Sequence, residues 1–146
     1  LVDMKILVCD VQSLLSHDIR KHHVKFEWDF DEADCLVHGD KIQLSKIVLN
    51  VYRNALQAMT EQSDPTIYVT LEKLEKRLIL RVRDSGPGLD QAMKDQLGHP
   101  FVTTKADGLG VGLSISNTIA EMHGGSLRIT NAMGGGALVE LNLPAL

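Results

Sequence analysis

Three glycines at alternate positions, Gly108-Leu109-Gly110-Val111-Gly112, run straight into an apolar-periodic segment that reads as a helix over 111–123 and stops at Gly124-Gly125. This arrangement limits what the chain can form more than any other stretch. Glycine backbone approaches a ligand closely and reaches φ > 0 without steric cost. A helix start offers unpaired N–H groups and the positive end of a dipole, which suits phosphate. A tight structural turn would use the same glycines. The spacing excludes two common phosphate loops. Leu113 stands where a dinucleotide fingerprint needs its next glycine, and no Gly-x4-Gly-Lys-[Ser/Thr] occurs anywhere.

The apolar pattern of the remaining chain is that of one domain over residues 1–146 with a single core. Residues 4–21 read as an amphipathic helix in which Leu7, Val11, Leu14 or Leu15, and Asp18 or Ile19 share a face. Val24–Phe30 alternates like a strand, and Cys35–His38 is a second short β run. Asp40 is the expected N-cap of a long helix whose core face is Leu44, Ile47, Val48, Val51, Ala55 and Met59. Asp64-Pro65 breaks that region. Thr66–Leu74 and Arg77–Asp84 form a hairpin across Glu75-Lys76, and Ser126–Thr130 and Ala137–Leu143 are the last strands. A short helix is expected over 90–97 and an aperiodic loop over 98–107. The pattern implies an α/β sandwich with one mixed sheet and helices on one face.

A net charge of −4 argues against nucleic-acid binding, and no apolar run reaches membrane-spanning length. Two cysteines, Cys9 and Cys35, are too few for a disulfide framework and read as packed thiols in a reducing compartment.

Three further groups carry chemistry. Asn50 and Asn54 lie four apart on one helix stripe that Gln57 continues. Asparagine is a middling helix former, so the pair is either a solvated face or an amide set offered to a hard cation such as Mg²⁺. Asp84 ends a strand on the same face as Leu78, Leu80 and Val82, so its carboxylate points inward and must be hydrogen-bonded. Its partner is either a ligand donor or the backbone of the turn through Gly86 and Gly88. Thr103, Thr104 and Lys105 sit in the long loop, as a lid over a phosphate or as a solvated surface. His17, in Ser16-His17-Asp18-Ile19-Arg20, superficially resembles a phospho-acceptor box. Only about thirty residues separate it from the Asn50 helix, too few for a helical hairpin, so it reads as a surface histidine.

Taken together and in this order, Asn50–Ala55, Asp84–Gly88, Pro100–Lys105 and Gly108–Gly112 resemble the four motifs of the catalytic and ATP-binding domain of bacterial two-component sensor histidine kinases. The ending Gly135–Pro144 is similar as well. The resemblance covers about residues 4–144. It implies the Bergerat fold, a two-layer α/β sandwich whose mostly antiparallel sheet of about five strands is covered by about three helices. Residues 1–22 would be a leading helix and about 90–108 a flexible ATP lid. It implies that Asn54 coordinates Mg²⁺, that Asn50 supports the metal and phosphate shell, and that Asp84 takes the adenine amine with Gly86 and Gly88 beside it. Thr104 and Lys105 would meet the phosphates, as would Gly108, Leu109, Gly110, Val111, Gly112 and Leu113.

The wider superfamily includes type II topoisomerase, heat-shock-90 and mismatch-repair ATPases. They place a water-activating Glu four residues before the metal Asn. Here that position is Asn50, which cannot act as a general base. The resemblance therefore implies transfer of the γ-phosphoryl of Mg-ATP to a histidine on a helical dimerisation domain absent from this chain. A response-regulator receiver domain would take it next. The domain itself would touch no membrane. The alternatives are an ATP hydrolase of the same superfamily and a non-catalytic nucleotide-binding module.

Overall fold

The computed structural model describes residues 1–60, 62–88, 109–133 and 135–146, with side chains from Leu113 onward in the helix that begins at Leu109. The elements are β1 (Val2–Asp3), α1 (Met4–Leu14), α2 (Ser16–Lys21), β2 (Lys25–Phe30), β3 (Leu36–Val37), α3 (Lys41–Ala58), β4 (Thr66–Leu74), β5 (Arg77–Asp84), α4 (Leu109–Met122), β6 (Ser126–Asn131) and β7 (Ala137–Pro144).

Alternation builds the sheet. Ile67, Val69 and Leu71 on β4, and Leu78, Leu80 and Val82 on β5, turn to one face and are buried. The antiparallel pair joins them in register, Val69 opposite Val82 and Leu71 opposite Leu80. The five strands run in the order β2-β4-β5-β7-β6. Only β2 and β4 are parallel, so the sheet is mixed and mostly antiparallel, as expected. The opposite face is polar. Arg81 there bridges Glu72 at 2.8 Å and Glu140 at 3.0 Å. These partly exposed pairs order the surface and add little stability.

Helices cover the apolar face. The α3 stripe Leu44, Ile47, Val48, Val51 and Ala55 is buried as its spacing predicts, and Met59, just past the helix, joins it. Fully buried Tyr52 packs edge-on against Phe26 of β2, ring centroids 5.3 Å apart, and its hydroxyl donates to the Val8 carbonyl of α1 at 3.4 Å. Asp40 caps α3, its Oδ1 accepting from Ile42 N at 2.9 Å and Gln43 N at 3.1 Å.

The leading helix differs from expectation. It breaks at Leu15 into α1 and α2. The stripe Met4, Leu7, Val8 and Val11 continues inward through Leu15, while Leu14 is left exposed. No α2 residue is fully buried, and only Ile19 packs against the core. The two-residue β1 was also not anticipated. It pairs with β3, Val2 opposite Val37. Replacing Asp40 with Ala removes two capping bonds and should cost about 1 kcal/mol in urea unfolding, with an unchanged denaturant slope.

Candidate functional site

Asn50, Asn54 and Ala58 are spaced by fours along α3 and form one stripe. At one end of it, Asn50 Nδ2 donates to Ser116 Oγ of α4 at 3.1 Å. Ser116 is completely buried. At the other end, the Ala58 carbonyl lies against Gly86, where an added Cβ would stand 2.9 Å from the oxygen. Partly buried Asn54 sits between. Its Nδ2 is buried and has no hydrogen-bond partner among the described residues. One stripe of α3 thus faces both the helix that follows the glycine triplet and the turn that follows β5.

Asp84 is 5% exposed, although it is a carboxylate. Its Oδ1 accepts from Gly86 N at 2.8 Å and Ala137 N at 3.3 Å. Oδ2 receives no bond among the described residues. Burial raises its pKa, and the two N–H bonds and the charge of Arg83 oppose that rise without cancelling it. The turn is held on both sides. Ser85 Oγ accepts from Thr66 N at 2.9 Å, and the Ser85 N–H and hydroxyl point at Met59 Sδ, 3.4 and 3.3 Å away. Across the sheet, Gly136 has φ +85°, and an added Cβ would meet the Asp84 carbonyl oxygen at 1.8 Å. Only glycine fits there, so the β6–β7 turn closes directly over the aspartate.

The structure therefore brings Asn50, Asn54, Asp84 and Gly86 to one side of the sandwich, and Gly88 follows in the same turn with φ +82°. Leu109, Gly110, Val111 and Gly112 form the first turn of α4, which begins two residues earlier than the apolar pattern predicted. A first turn has unpaired N–H groups to offer. The Leu113 side chain is buried in the core. Thr104, Lys105, Gly108, the expected short helix over 90–97 and the expected lid over 90–108 lie outside the described residues. His17 is exposed on α2.

Two residues that matter here were not singled out from sequence. Ser116 lies on the buried stripe of α4 with Leu113, Ile119 and Ala120. A hydroxyl on an apolar stripe is a detectable signal, but its partner 66 residues away is not. Gly136 reads as a turn glycine in sequence; its approach to Asp84 has no local signature.

A family profile described as "Histidine kinase-, DNA gyrase B-, and HSP90-like ATPase" matches residues 39–146. The sensor histidine kinase ZraS of Salmonella typhi is 30% identical over 99% of this chain, which spans 31% of that protein. The chain thus spans less than a third of the length of that curated relative. Among solved structures, the catalytic domain of histidine kinase ThkA superposes with a TM-score of 0.85 at 29% identity, covering 97% of this chain and 94% of that one. ThkA in complex with response regulator protein TrrA gives 0.82 at 27% identity, covering 99% of this chain and 41% of that one. Full-length ShkA in complex with AMPPNP gives 0.81 at 25% identity, covering 98% of this chain and 30% of that one.

The raised pKa of Asp84 has a testable sign. The folded chain holds that proton more tightly than the unfolded chain does. The group's contribution to stability is therefore full below the ordinary carboxylate range and is lost as pH rises through the raised value. At neutral pH the folded surroundings disfavour the charged carboxylate more than the unfolded chain does, which counts against stability. Asp84→Asn keeps an acceptor for Gly86 and Ala137 without the buried charge. Its thermal midpoint without ligand should exceed the native one at about pH 7, and the gap should close towards about pH 4. A variant less stable than native at neutral pH contradicts this reading.

Proposed function

The chain belongs to the histidine kinase-, DNA gyrase B- and HSP90-like ATPase family, as the catalytic ATP-binding domain of a sensor histidine kinase, and from that premise we propose that its own residues hold Mg²⁺-ATP for transfer of the γ-phosphoryl to a histidine outside this chain. The observation that carries the reading is the α3 stripe. It reaches the Asp84 turn through Ala58 and the glycine-rich helix start through Ser116, so base, metal and phosphate elements share one wall.

Asp84 would receive the exocyclic amine of adenine at Oδ2, since its Oδ1 is already taken by two backbone N–H groups. A buried carboxylate held in place in this way is preorganised for one donor and rejects a carbonyl at the same point. The first turn of α4, with Gly108 before it, would offer N–H groups to the phosphates, and Thr104 and Lys105 would meet their distal end. The donor set fits Mg²⁺: the Asn54 Nδ2 is buried without a partner among the described residues, so no bond to that nitrogen opposes a flip of the amide that would present its oxygen to a hard cation. When bound, Mg²⁺ would neutralise phosphate charge during transfer. Asn50 would support that shell from beside Asn54.

Asn50 also explains why transfer is favoured over hydrolysis. An amide has no basic lone pair at neutral pH, and its nitrogen is engaged with Ser116. The acceptor histidine would come from a helical dimerisation domain and the next acceptor would be a receiver domain, a reading supported by the likeness to ThkA bound to TrrA. Among the described residues no helix is long and apolar enough to cross a membrane. We place the domain in the cytoplasm, where ATP is available.

Mixing the chain with a separate helical acceptor domain and γ-labelled Mg²⁺-ATP should label the acceptor with acid-labile phosphate. The chain alone should remain unlabelled and release phosphate slowly. Fast phosphate release without an acceptor would instead identify a hydrolase. Asp84→Asn should weaken ATP binding by about 1–3 kcal/mol in calorimetry, the scale of a lost buried polar contact. Asn54→Asp should change the Mg²⁺ dependence more than the affinity for nucleotide without metal.

A further inference from the structure

Polar side-chain contacts join α3 and α4 at two levels. The first is Asn50 to Ser116. The second lies at the far end of the pair: His123, immediately after α4, places Nε2 at 3.1 Å from the backbone N of Asp40, the N-cap of α3. Its Nδ1 lies 2.8 Å from the Ile119 carbonyl oxygen. The Asp40 N–H can only donate, so Nε2 must accept, and Nδ1 then carries the proton for Ile119. Only the neutral Nδ1–H form satisfies both contacts. The ring also sits on Gly39, where a Cβ would come within 2.7 Å of His123 Cδ2. No larger residue could precede Asp40 with the imidazole in this place.

The surrounding charges do not substitute for this bond. The Asp40 carboxylate is turned to the Ile42 and Gln43 N–H groups. Arg77 reaches in from β5 to the Gly124 carbonyl at 3.4 Å. Glu121 on α4 accepts from Asn117 at 3.1 Å. His38 and Lys41 flank Asp40 in sequence and are exposed. Adding a proton to His123 would set N–H against N–H at the start of α3, and the contact would open.

We infer that His123 is a positioning residue. Through Asp40 it fixes where the amide stripe of α3 stands relative to the glycine-rich start of α4, so full nucleotide affinity requires its neutral form. The inference rests on the nucleotide reading above and adds a residue that touches neither metal nor phosphate. It acts by geometry: the apolar stripe and Asn50 hold the body of α3, and the His123 bond adds a distant restraint on its N-cap, the end that is otherwise set only by local capping.

The test is ADP affinity by calorimetry at about pH 8 and about pH 5.5, the range in which imidazoles change charge. The native chain, His123→Gln and His123→Ala are compared. Glutamine can present an amide oxygen to the Asp40 N–H and does not titrate. Titration of the nucleotide's own phosphate and of the other histidines is common to all three proteins, so only differences between them count. The native chain should lose affinity about three- to tenfold more than His123→Gln on acidification, the scale of one net hydrogen bond. His123→Ala should be weak at both pH values, with His123→Gln near native at the higher one. Parallel pH profiles for native and His123→Gln overturn the inference, as does a Gln variant no tighter than the Ala variant at about pH 8. If the Ala variant does not fold, the native-against-Gln comparison alone decides. A native chain that binds no ADP at either pH removes the nucleotide reading, and this inference with it.

Discussion

An ionised carboxylate away from water must be surrounded by donors or it drives the structure apart. Asp84 imposes that requirement here, and much of the chain is arranged to meet it. Its Oδ1 is held by the turn that follows it and by the first residue of β7. The β6–β7 turn reaches it because Gly136 has no side chain. The turn itself is fastened to the end of α3 through Met59 and to the start of β4 through Ser85. Four separate segments thus meet around this aspartate, whose second oxygen receives no bond among the described residues. In the proposed nucleotide site, that oxygen is the one that would take a ligand donor.

The other half of the site depends on α3. Its apolar stripe secures it to the sheet, and its amide stripe faces α4. These two duties lie on adjacent faces of one helix, so packing and chemistry are coupled: what shifts the core stripe also moves Asn50 and Asn54. The capping carboxylate of Asp40 and the imidazole of His123 act at the same end of that helix, one on the N–H groups that follow and one on its own. Local and distant restraints therefore converge on one residue.

Much of this was legible in the sequence where the signal is local and periodic. The inward position of Asp84 follows from its place two residues after Val82 on an alternating strand, and the start of α3 follows from an aspartate placed ahead of a 3.6-residue repeat. Elements decided at a distance were not legible. Leu14 and Leu15 are equivalent by pattern, and only packing against the core chooses Leu15. A two-residue strand at Val2 has no signal of its own, because its partner Val37 is 35 positions later. Trp28 falls on the apolar side of β2 and is still 48% exposed, because β2 is an edge strand. The contact of His123 with Asp40 joins residues 83 apart, and from sequence His123 is only a basic residue at a helix end.

The single parallel pairing in the sheet bears on how the molecule comes together. β4 with β5 and β6 with β7 are neighbours along the chain and can zip up from short turns. β2 cannot do so: Lys25 meets Thr66 only after α3 has crossed between them and seated its apolar stripe. The amino-terminal edge is thus conditional on the helix that bears the amides, and that helix is conditional on the hairpin beneath it. Assembly of the wall that would take up a nucleotide and completion of the sheet become one late event, so a nascent chain is blind to its ligand until its scaffold is nearly whole.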